Sequence, residues 1–122
     1  MRLLYVEDDR INTLLFEETC KLSPQLEVRS AECGQDALTL AVAYQPDVLV
    51  IDLHLPDTDG YTLLGELRAL PGLADAPAFL CSAEVPEVVA DAAGRAGFTG
   101  VWPKPVQLAD ILDDLARLRT PT

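Results

Sequence analysis

Val48-Leu49-Val50-Ile51-Asp52-Leu53-His54-Leu55-Pro56-Asp57-Thr58-Asp59-Gly60 is the stretch of this chain that says most about its fold. The four β-favouring apolar residues at 48–51 show no polar alternation, so they predict a strand buried on both faces, as in a parallel sheet covered by helices. Asp52 stands where that strand stops. A carboxylate there lies at the rim where open α/β sheets bind ligands, and the turn-forming residues Pro56, Asp57, Asp59 and Gly60 then lead the chain into a helix.

Upstream, residues 3–6 form a short apolar strand that runs into Glu7, Asp8 and Asp9, after which Ile11, Leu14, Leu15 and Leu22 fall at helical spacing and predict a first helix with that stripe inward. One carboxylate of the three has an ordinary reading as a helix cap; three in a row do not. Ser23-Pro24 ends the helix. Residues 26–30 alternate apolar and charged, as an edge strand does. Ala37, Leu40, Ala41 and Tyr44 mark a second helix stopped by Pro46.

Downstream, Leu63, Leu64, Leu67 and Leu70 stripe a third helix that Pro71-Gly72 ends. A fourth strand at 78–81 closes on Ser82. Val85, Val88, Val89, Ala92, Ala93 and Ala96 make a fourth helix with small side chains, ended by Gly97. A brief strand at 100–102 and the turn Pro103-Lys104-Pro105 lead into a closing helix carrying Leu108, Ile111, Leu112, Leu115 and Leu118. Residues 1–119 read as one domain and Thr120-Pro121-Thr122 as a tail.

Five strands alternating with five helices predict an α/β fold, a flavodoxin-like (βα)5 three-layer sandwich with right-handed crossovers. The alternating second strand belongs at an edge, which the parallel order 2-1-3-4-5 satisfies. That order puts the switch point between strands one and three. Glu7, Asp8 and Asp52 then meet, and Ser82 and Lys104 close neighbouring strands at the same rim.

Composition narrows the chemistry. With 122 residues the chain is large enough for one self-sufficient core. Twenty acidic against nine basic residues, a formal charge of −11, argue against a grip on nucleic-acid phosphates. No stretch approaches the roughly 18 apolar residues of a membrane span, and the start resembles no signal peptide, so the expectation is a soluble, cytoplasmic protein. Cys20, Cys33 and Cys81 lack metal-ligand spacing and read as reduced, mostly structural thiols. His54 is the sole histidine, which removes His-based metal sites and a Ser-His-Asp hydrolase.

Three ionised carboxylates beside one lysine lack positive charge, and their hard oxygen atoms near phosphate chemistry fit Mg²⁺. In such a site Asp52 is the nucleophile toward phosphorus. Mg²⁺ and Lys104 each take a phosphoryl oxygen, and the Ser82 hydroxyl with a nearby backbone N–H, that of Ala83, takes the third.

Val6-Glu7-Asp8-Asp9, Asp52-Leu53-His54-Leu55-Pro56-Asp57 with Gly60, Cys81-Ser82-Ala83 and Pro103-Lys104-Pro105, each after its own strand, together resemble the receiver domain of two-component response regulators over essentially the whole chain. The resemblance implies that a histidine kinase or histidine phosphotransfer protein phosphorylates Asp52. It also implies that Asp8, Asp52 and the backbone carbonyl of His54 bind Mg²⁺ directly, with Glu7 acting through water. Lys104 would report phosphorylation by its ion pair, across a Lys104-Pro105 bond that is often cis in this family. A downstream protein would bind helix four, strand five and helix five, where a homodimer is also open.

Two departures stand out. Where receivers usually carry Tyr or Phe three residues before the lysine, this chain has Val101, so output by ring rotation is excluded. Trp102 falls on the opposite face by alternation and reads as packing. His54 and Glu84 take variable positions that in the family tune phosphoryl gain and loss.

The competing readings are weaker. An aspartyl-phosphate phosphatase lacks its second acid, since His54 stands there, and the strand's likeness to a Walker B segment has no phosphate-binding loop beside it. The chain therefore reads as a signalling domain rather than an enzyme, with at most self-phosphorylation and slow self-dephosphorylation. Val101 alone favours a degenerate receiver that binds partners without phosphate. Because the sequence stops just after its last helix, output is expected through another protein, whether the domain stands alone or derives from a hybrid kinase.

Overall fold

The computed structural model describes residues 1–119. The elements run β1 (Arg2–Val6), α1 (Arg10–Lys21), β2 (Glu27–Ala31), α2 (Gly34–Tyr44), β3 (Val48–Asp52), α3 (Gly60–Arg68), β4 (Ala78–Ser82), α4 (Pro86–Ala96), β5 (Gly100–Pro103) and α5 (Leu108–Arg119). All strand pairs are parallel and the sheet order is β2-β1-β3-β4-β5. The topology is the one the sequence predicts, with β2 at the margin. The proposed tail, 120–122, lies outside the described residues.

Strand alternation divides the core. Leu4, Val6, Leu49, Ile51 and Leu80 pack with α2, α3 and α4 on one face, while Leu3, Tyr5, Val50, Phe79, Cys81 and Trp102 pack with α1 and α5 on the other. Every residue of β3 is buried, as its unbroken apolar run requires.

The first helix corrects an expectation. Ile11, Leu14, Leu15 and Leu22 are 53–73% exposed, and Phe16 and Cys20 are the buried positions. Phe16 wins the inward face because its ring stacks on Tyr5, with centroids 4.0 Å apart and planes 4° from parallel. Leu22 lies past the last turn as the C-cap. In α4 likewise only Val89 and Ala93 are fully buried, leaving Val85 and Val88 on the surface.

Local chemistry fixes the loops. Asp9 caps α1 by accepting from the backbone of Ile11 and Asn12, and Asp59 caps α3 by accepting from Thr62. No cysteine is paired among the described residues. Burial pushes the Cys20 thiol up to about 12, with Glu17 adding to it, and raises the Cys81 thiol as well, which suits inert core thiols. No helix among the described residues is long and apolar enough to cross a membrane.

Candidate functional site

Register brings the strand ends level. Val6 lies opposite Ile51, so Glu7 is carried beside Asp52; Asp52 lies opposite Cys81, and Ser82 opposite Pro103. Among the described residues the buried polar side chains are Glu7, Ser23, Asp52 and Ser82, and three of these four sit on this one rim. A fold does not bury charge without a partner.

Lys104 is that partner. Its ammonium lies 2.6 Å from Glu7 Oε1 and 2.9 Å from Asp52 Oδ1, with 15% of the side chain exposed. Burial alone would pull this lysine down, but hydrogen bonds to Glu7 and Asp52 outweigh it and hold Lys104 above its usual value. Lys104 is therefore a part-buried ion-pair partner rather than a solvated turn residue. The Lys104-Pro105 bond is cis.

Glu7, Asp8 and Asp52 each offer a carboxylate oxygen within 4.8 Å of the others, with Asp8 facing solvent. Every donor in this set is a hard oxygen atom, and one ammonium faces three carboxylates. That chemistry fits a divalent hard cation such as Mg²⁺ and disfavours a thiophilic metal.

The other expected residues frame the opening. The Ser82 hydroxyl oxygen accepts from the Glu84 backbone N–H at 3.0 Å, and Ala83 follows it into solvent. Ser82 does not cap α4, whose N-cap is Val85, without a side-chain hydrogen bond. The His54 side chain is 80% exposed, with Nε2 3.6 Å from Glu84 Oε1, so the two variable positions meet over the mouth. Gly60 is required beneath: a Cβ there would lie 2.8 Å from the Asp52 carbonyl oxygen.

Val101 packs against the face bearing α3 and α4, and Trp102 is buried on the other, stacked on Phe79 at 4.3 Å. Its indole N–H donates to Asp114 on α5 at 2.7 Å. The packing reading of Trp102 holds.

Three sets of contacts escape motif reading. Asp57 accepts from the backbone N–H groups of Gly34 and Gln35 at 2.8 and 3.0 Å, tying the loop after β3 to the start of α2. Arg68 donates to the carbonyls of Gly97 and Ala76, anchoring the end of α4. The Tyr5 hydroxyl lies 3.4 Å from Glu7 Oε1. Only the last had a signal, since Tyr5 and Glu7 are two apart on a strand and share a face.

Comparison with known proteins agrees with this geometry. The family described as the response regulator receiver domain matches residues 3–116. A response regulator receiver protein from Anaeromyxobacter sp. (strain Fw109-5) is 43% identical over 88 residues, 71% of this chain and 36% of that protein. The sensory/regulatory protein RpfC of Xanthomonas campestris is 30% identical across 100% of this chain and 17% of its own length. The chain thus spans about a third or less of these relatives. A crystal structure of a response regulator from Chloroflexus aurantiacus superposes with a TM-score of 0.86 at 28% identity, covering 96% of this chain and 95% of that one. A chemotaxis protein of Vibrio cholerae, at 24% identity and a TM-score of 0.82 over 95% and 96% of the two chains, shares the fold. With five parallel strands in this order, an acid cluster at their ends and a family match along nearly all its length, the chain belongs to the response regulator receiver domains of two-component systems.

Proposed function

We propose that Asp52 accepts a phosphoryl group from a histidine kinase or histidine phosphotransfer protein, and that the acyl phosphate alters the face of α4, β5 and α5 for a downstream protein. The observation carrying this reading is the Lys104 ammonium at 2.9 Å from Asp52 within the cluster of Glu7, Asp8 and Asp52. The same pairing counts against a phosphate-independent module.

An Asp52 carboxylate oxygen attacks phosphorus; the bond from phosphorus to the donor's imidazole nitrogen breaks, and its electron pair leaves with the imidazole. Asp8, Asp52 and the His54 carbonyl would hold Mg²⁺, with Glu7 acting through water. When bound, the ion supplies positive charge that a phosphoryl dianion approaching three carboxylates otherwise lacks. Lys104 takes one phosphoryl oxygen, and the Ser82 hydroxyl and Ala83 N–H take another.

The donor docks beside the rim. Ile11, Leu14 and Leu15 of α1 are each more than half exposed, and a groove of about 270 Å³ runs between Leu15, Leu22, Val106 and Lys104. Apolar side chains clustered next to a reactive carboxylate are a protein-binding surface.

The switch follows from Ser82. Drawing its hydroxyl to a phosphoryl oxygen takes the acceptor away from Glu84 N–H, just before α4. That helix starts uncapped at Pro86 and ends clamped where Arg68 reaches the Gly97 carbonyl, 2.8 Å away. A helix held at one end swings about that end, and a coupling of about 1–3 kcal/mol is ordinary. Hydrogen exchange with and without beryllofluoride, a phosphoryl mimic, tests it: protection should change at 84–90 and stay constant at 97–98. Unchanged protection across 84–102 sinks the switch.

A further inference from the structure

Tyr5 is an unusual side chain to find at the centre of a sheet beside an acid cluster. It is 1% exposed, and a buried phenol costs free energy unless its hydroxyl finds an acceptor. Among the described residues that acceptor is Glu7 Oε1, 3.4 Å away. An aliphatic side chain would fill the same strand position without this requirement.

Glu7 itself is 1% exposed and takes three donors: Lys104 Nζ at 2.6 Å and the Tyr5 hydroxyl at Oε1, and the Asp9 backbone N–H at 3.5 Å at Oε2. Oε1 is therefore held twice. Oε2, with one long contact, is the freer atom for a cation or its water. A phenol keeps its proton at neutral pH, so the Tyr5 hydroxyl is a donor to Glu7. The ring cannot swing away, because it lies flat on Phe16 of α1.

We infer that Tyr5 is a positioning residue for the metal site: its hydroxyl, braced by the Phe16 stack, fixes the Glu7 carboxylate so that the acid cluster is preformed for a divalent cation. This rests on the reading of that cluster as a Mg²⁺ site. Groups that orient ligands from behind commonly govern metal affinity as strongly as tenfold or more.

The test is calorimetric titration of Mg²⁺ into the metal-free chain, with no phosphodonor, for wild type, Tyr5→Phe, Glu7→Gln and the double variant. Tyr5→Phe keeps the ring and the stack, so its melting curve should follow wild type. Its Mg²⁺ dissociation constant should rise about threefold to tenfold, the lower end expected for a long hydrogen bond. In the Glu7→Gln background the same change should shift affinity less than about twofold, because the group it positions is gone. An unchanged dissociation constant in Tyr5→Phe, or an equal loss in both backgrounds, overturns the inference while leaving the metal site standing. Absence of Mg²⁺ binding by the wild type overturns the metal reading itself, and the inference with it.

Discussion

Lys104 donates to Glu7 across 2.6 Å, joining the end of β5 to the end of β1 over 97 residues of sequence. The same ammonium reaches Asp52, so one cation holds two buried carboxylates. Lys104→Met removes it and leaves both without a counter-charge, at about 3–5 kcal/mol for a broken buried pair. Mg²⁺ should restore much of that loss by replacing the missing charge. Urea denaturation with and without Mg²⁺ measures this, and an equal deficit in both contradicts the account. Because Lys104 is held above its ordinary value, its contribution is full at neutral pH and is lost only as pH rises through the raised value.

Asp57 gives the opposite sign. Hydrogen bonds from the Gly34 and Gln35 backbone hold its carboxyl below the usual value, and Thr62 does the same for Asp59. A depressed carboxyl stabilises the fold above its unfolded value, about 3.9, and that stability is lost as pH falls toward the folded value. Asp57→Asn should therefore lower stability at neutral pH and flatten the decline below about pH 4. Urea melts across the acid range decide it; an acid limb as steep as wild type argues against the tether.

Arg68 clamps α4 through the Gly97 and Ala76 carbonyls at 2.8 and 2.9 Å. Arg68→Ala should cost about 2–3 kcal/mol, since hydrogen bonds to a charged group exceed neutral ones, and Arg68→Lys, which reaches one carbonyl, about half. Amide exchange at 97–99 should quicken in both. Equal protection in wild type and Arg68→Ala would remove the pivot from the switch.

Strand order was legible because β2 alternates and β3 does not, and those two patterns leave little freedom in a parallel sheet. Glu7, Asp8, Asp52, Ser82 and Lys104 were legible because each stands at the end of a strand or within two residues past it, and strand ends share a rim. The α1 face was not. Periodicity shows that a helix has an apolar stripe, yet Ile11-Leu14-Leu15 and Phe16-Cys20 are rival stripes, and the choice depends on Tyr5 across the interface. The tethers made by Asp57 and Arg68 were invisible for a related reason: their partners are backbone groups, which carry no residue signature.

The most direct test of the central claim is intact-mass spectrometry after incubation with acetyl phosphate, comparing wild type with Asp52→Asn, with and without Mg²⁺. The account predicts one phosphoryl adduct on the wild type that requires Mg²⁺, is released by alkali, and is absent from the variant. An adduct that persists in Asp52→Asn, or no adduct on a folded wild-type chain at any Mg²⁺ concentration, would contradict it.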